Sequence, residues 1–170
     1  MNQSDQSVTI VKVVLTVLLI FIITVLQTTI VQGFEIFHVV PNLLFIMVVC
    51  YGILHGDYGA LVVGVVCGLL LDITGARVVG MNTLLCTLAA YFCICISDSL
   101  FNNNVLVAMV FVLLLSIPYE LIIYIFNFVI WGRGSFWYAL FYRILPGGVY
   151  NFLVTILLYP IIRRVTLFRQ

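Results

Sequence analysis

Charge is the scarcest ingredient of this chain. Of 170 residues, 8% are Asp, Glu, Lys or Arg, against about 25% in ordinary soluble domains. Seven basic and six acidic residues leave a net charge of +1, so there is no basic footprint for nucleic acid. Cys-x-x-Cys is missing, and the five cysteines (Cys50, Cys67, Cys86, Cys93, Cys95) fall inside apolar runs without metal-ligand spacing. They read as small polarizable core residues. His38 and His55 stand alone and read as interfacial side chains. No Ser-His-Asp arrangement, phosphate loop, His-Glu-x-x-His or haem-ligand pair is visible, and no water-exposed stretch exceeds about a dozen residues. Enzymatic chemistry on a soluble substrate has nowhere to sit, and neither a cofactor nor a metal is expected.

What the chain has in abundance is apolar surface. Hydrophobic residues make up 65% and the mean hydropathy is +1.30, more than a soluble domain of this length can hide. The sequence describes an all-α polytopic membrane protein in a single integral membrane domain, 1–170. Spans are expected near 10–31, 41–54, 59–73, 82–97, 105–130 and 138–162. The first ten residues are polar, and the following apolar run lacks a small-x-small cleavage site, so it reads as a retained first span. Residues 41–73 as one helix would reach roughly 50 Å, too long for one crossing, whereas the halves on either side of His55-Gly-Asp-Tyr58 fall short of the ~20 residues a crossing needs. Two tilted or half-length helices joined by a tight turn fit better. Asn82 or Thr83 is expected to cap the fourth span, and Pro146-Gly147-Gly148 to interrupt the sixth.

Six spans place Lys12 and Arg163, Arg164 and Arg169 on one side, with Arg77 and Arg133 opposite, which puts both termini in the cytoplasm by the positive-inside rule. Asp72 then ends the third span at the outer face, where a carboxylate needs a partner, a cavity or the interface. Arg77 follows it. Glu120 is the deepest charge, just beyond the middle of the fifth span. Arg143 lies roughly 10 Å outward of the middle of the sixth, and the two are expected to pair. Asn82, Asn127 and Asn151 are placed to hydrogen-bond across helices. Gly52, Gly56, Ala60, Gly64 and Gly68 recur every four residues, a spacing that allows close helix approach.

Several segments taken in order carry a family resemblance. They are Pro41-Asn-Leu-Leu44, Gly68-Leu-Leu-Leu-Asp72, Gly80-Met-Asn-Thr83, Leu145-Pro146-Gly-Gly-Val-Tyr150-Asn151 and Tyr159-Pro-Ile-Ile-Arg-Arg164. Together they resemble the bacterial rod shape-determining family MreD over nearly the whole chain. His55-Gly-Asp57 departs from a turn that is often basic in that family. The resemblance implies a non-enzymatic scaffold of the cell-elongation complex in the bacterial inner membrane. Its implied partners are an MreC-like single-span periplasmic protein and, indirectly, the peptidoglycan synthases (transpeptidase and glycosyltransferase) and MreB. It also implies a fold similar to the six-helix S-components of energy-coupling-factor transporters, which leaves a nutrient-capturing subunit as the alternative. A structural subunit of an unrelated membrane complex is a third. The expected partner-binding or helix-packing residues are Gly64, Gly68, Asp72, Arg77, Glu120, Arg143, Pro146, Tyr150 and Asn151.

Overall fold

The computed structural model describes residues 3–29, 40–75, 78–97, 104–129, 137 and 140–166. Every extended element among them is helical: α1 (Gln3–Thr29), α2 (Leu43–His55), α3 (Gly59–Gly75), α4 (Met81–Ser97), α5 (Val105–Tyr124) and α6 (Leu145–Thr166). A π-helical stretch, Ile125–Val129, continues α5, and another, Leu140–Ile144, leads into α6.

Three stretches, Ile10–Thr29, Val105–Asn127 and Leu140–Thr166, are long and apolar enough to cross a membrane, while α2, α3 and α4 are shorter apolar helices. The shortness of α2 is explained by its position. Every residue from 43 to 50 is buried, and α2 touches each of the other five helices. A helix that is apolar all round is stable only when surrounded, and at thirteen residues, about 20 Å, α2 is the hub of the bundle. The residues around it present Leu, Val, Ile and Phe side chains outward, among them Val14, Phe21, Leu114 and Leu157.

The most extensive contacts are α3 with α4, then α5 with α6. Small residues make the first possible. A β-carbon on Gly64 would sit 3.1 Å from both the Ala90 Cβ and the Cys86 carbonyl oxygen of α4, and one on Gly68 would meet the Thr83 Cα and lie 2.9 Å from the Asn82 oxygen. Gly52 of α2 likewise packs on Cys93. The glycine stripe therefore faces α4 inside the chain. Gly56 ends α2 in the left-handed region (φ 60°), its N–H bonded to the Gly52 oxygen. That is the Gly C-cap geometry, and it lets α3 start three residues later.

Two expectations are corrected here. Pro146-Gly147-Gly148 does not interrupt the last helix, because the chain stays helical from 140 to 166. Pro146 is the second residue of α6, next to the π-helical stretch, so the carbonyl its ring would crowd and the N–H it lacks fall where the bonding pattern changes anyway. Gly147 and Gly148 are buried instead, and a β-carbon on Gly148 would meet Leu113 and Ile117 of α5 at 3.4 and 3.6 Å. The helix also runs past 162 to Thr166, carrying Arg163 and Arg164 in its last turn, where cations complement the helix dipole.

Candidate functional site

The sequence spreads its few polar side chains over six helices, yet the fold gathers several of them into one network at one end of the bundle. Lys12, the α2–α3 turn and Thr166 line a common cavity, which defines the end bearing the termini. The side chains that hydrogen-bond between helices lie toward the opposite, far end.

Asp72 begins the network. Leaving α3 one turn before its end, it is buried, and its carboxylate accepts from the backbone N–H groups of Asn82 and Thr83 at 3.1 Å each and from the Thr83 hydroxyl at 2.5 Å. These are first-turn donors of α4, which have no partner within their own helix. The neighbouring N–H groups, of Met81 and Leu84, bond to Val78 and Gly80 carbonyls, so the donors of residues 81 to 84 are all satisfied. A carboxylate there also meets the positive end of the helix dipole. The cap of α4 thus comes from the preceding helix. The expectation that Asn82 or Thr83 would supply it is corrected, since α4 already begins at Met81 and both residues lie inside its first turn.

Asn82 carries the chain of bonds onward. Its Oδ1 accepts from the Tyr119 hydroxyl of α5 at 2.9 Å, and that hydroxyl in turn accepts from Asn42 Nδ2 at 3.1 Å. The Tyr119 ring is held against Phe45, centroids 4.3 Å apart. Asn42 caps α2 through an Oδ1 bond from the Phe45 N–H (3.0 Å), and its own backbone N–H donates to Asn151 Oδ1 of α6 at 2.8 Å. Asn151 Nδ2 then donates to Ser116 Oγ of α5. Gln27 of α1 completes the set, accepting from the Leu43 N–H at 2.8 Å and donating to the Pro41 oxygen at 3.1 Å. One connected set of side chains therefore ties α2 to α6 together, and α1 joins at the start of α2.

The remaining expected residues fall elsewhere. Gly64 and Gly68 hold α3 against α4. Glu120 is half-buried on α5 and within electrostatic reach of the Arg143 guanidinium, and the π-helical stretch that carries Arg143 contacts α5. Pro146 and Tyr150 are half-buried on α6. Arg77 lies outside the described residues. Asn127 does not join the network, and its Oδ1 is buried without a partner among the described residues. Gln27, Asn42, Thr83, Ser116 and Tyr119 were not singled out from sequence as network members. The signal available was Pro-Asn at a helix start, a recognisable cap. Nothing local marks the Tyr119 hydroxyl as its partner.

An all-helical bundle that turns apolar side chains outward and pairs its polar groups with one another is the organisation of a multi-pass membrane protein. The chain belongs to the family of rod shape-determining protein MreD, which matches residues 8–169. No curated protein and no solved structure matches it. Family membership implies a role in rod-shape determination.

Proposed function

We propose that the chain is a non-enzymatic scaffold of the bacterial cell-elongation complex. It would cross the inner membrane six times with both termini in the cytoplasm, and bind an MreC-like single-span protein alongside the peptidoglycan synthases. The observation that carries the reading is how the far-end polar groups are used. Asp72, Asn82, Tyr119, Asn42 and Asn151 bond to one another and to helix-terminal N–H groups. A capture subunit for a nutrient, the S-component-like alternative, would aim such groups at a ligand. Here they fix helix against helix, which is what a packing surface needs. With Gly64, Gly68 and Asp72 turned inward onto α4, partner contact passes to outward apolar residues such as Val14, Leu18 and Phe21 of α1.

Co-purification of the full chain from its native membrane tests the reading. Recovery of a single-span protein with a periplasmic coiled coil, together with cell rounding on depletion, is expected. Recovery of ATPase subunits instead would assign the chain to transport.

A further inference from the structure

The end bearing the termini is built differently from the far end. There α1 stands off from α3, touching it less than it touches α2 or α6, and between them opens a cavity of about 600 Å³. That is the size of a small-molecule site. Its lining is mixed. Lys12, His55 and Asp57 are its polar residues near the α2–α3 turn, and Val17, Ile20 and Val66 belong to its apolar wall. From Lys12 to Ile20 the groove follows α1 for eight residues, about 12 Å along the helix axis. Tyr51 stacks flat on His55, ring centroids 4.2 Å apart, which fixes the imidazole.

The lining carries one lysine and one carboxylate, and among the described residues no ion pair engages either of them. An anionic headgroup would meet Asp57 unfavourably. A headgroup with a phosphate and a primary ammonium has a counterpart for each charge: the phosphate for Lys12, and the ammonium, a hydrogen-bond donor, for Asp57. An acyl chain suits the valine- and isoleucine-lined wall. We propose that this groove is a binding site for a zwitterionic phospholipid of the phosphatidylethanolamine type, headgroup at Lys12 and Asp57 and one acyl chain between α1 and α3. The site rests on the bundle being embedded in a bilayer and is independent of which protein partners it has.

Native mass spectrometry of the full chain, released from micelles supplemented with equimolar phosphatidylethanolamine, phosphatidylcholine and phosphatidylglycerol, tests it. The wild type is expected to retain phosphatidylethanolamine over the other two by about two- to fivefold, the discrimination that one exposed charge pair provides. Asp57→Asn should erase the preference over phosphatidylcholine, and Asp57→Lys should shift retention to phosphatidylglycerol. Asp57 is exposed in the turn, so the fold should survive both changes, as unchanged helicity would confirm. Val66→Trp, which fills the groove from a partly exposed position, should lower retention of every lipid. Equal retention of the three lipids by the wild type, a preference for phosphatidylglycerol, or a preference unaltered in Asp57→Asn would each overturn the assignment. None of these results bears on partner recovery, so the two readings fail separately.

Discussion

Substitution of Asp72 separates a capping role from a charge presented to a partner. The carboxylate receives two main-chain N–H groups and one hydroxyl. In Asp72→Asn the remaining oxygen keeps one N–H, while the new amide NH₂ faces the other donors. The Thr83 hydroxyl can rotate to accept from it, but a main-chain N–H cannot. One buried donor is orphaned, which costs about 1–3 kcal/mol, and the lost charge at the helix N-terminus adds up to about 1 kcal/mol. In Asp72→Ala both N–H groups are orphaned, so the loss should roughly double, to about 4 kcal/mol. The wild type should therefore be most stable, Asn intermediate and Ala least, in steps of about 2 kcal/mol. Reversible unfolding of the purified chain in mixed micelles, followed by helicity, measures the series. The reasoning is refuted if both variants keep wild-type stability, or if Asn and Ala are equal. Wild-type stability combined with lost partner recovery would show that the carboxylate serves a partner.

Gly68→Ala should destabilise more than Gly64→Ala in the same assay, because its β-carbon meets α4 backbone rather than a mixture of side chain and backbone. Overpacking of this kind costs about 1–3 kcal/mol, and equal effects would argue against the close approach at Thr83. Tyr119→Phe removes the hydroxyl between Asn42 and Asn82 and should cost about 1–2 kcal/mol, whereas Tyr58→Phe, on an exposed position, should cost less. Reversing Glu120 or Arg143 singly should impair cell-shape complementation, and reversing both should restore it if their electrostatic contact matters. Gln27→Leu orphans the Leu43 N–H and should cost about 1–3 kcal/mol. Thr28→Val serves as its control, because among the described residues Thr28 bonds only to carbonyls of its own helix.

The helices were legible because long apolar runs, punctuated by His55-Gly-Asp-Tyr58 and by the turn at Gly80, leave few ways to partition the chain. Asp72 was legible as an anomaly, since a carboxylate beside GLLL in an apolar chain demands a partner. Its actual partners were not, because a helix N-terminus becomes a ligand only when the next helix folds back beside it. The same holds for Tyr119. A tyrosine in an apolar span reads as packing, and only the approach of α2 and α4 to one face of α5 turns its hydroxyl into a bridge. Pro146 misled because proline and two glycines usually stop a helix. The π-helical stretch before it absorbs the disruption, and no residue in Leu140–Ile144 announces that geometry.

The shortness of the middle helices accounts for the position of the network. A thirteen-residue helix covers about two-thirds of a 30 Å hydrocarbon layer, so if α2 begins its course at the membrane surface near His55, its N-terminus stops well inside. Helix N-terminal N–H groups at that depth have no water to bond, and each left bare would cost several kcal/mol. Protein must supply the acceptors, and it does. Gln27 takes the Leu43 N–H, Asn42 caps its own helix, and Asn151 takes the Asn42 N–H. The Asp72 cap on α4, a seventeen-residue helix, answers the same need two elements later. The capping residues at the far end therefore follow from helix length. Their placement makes the far end of the bundle the part whose geometry is most tightly determined, while the end bearing the termini keeps an open groove.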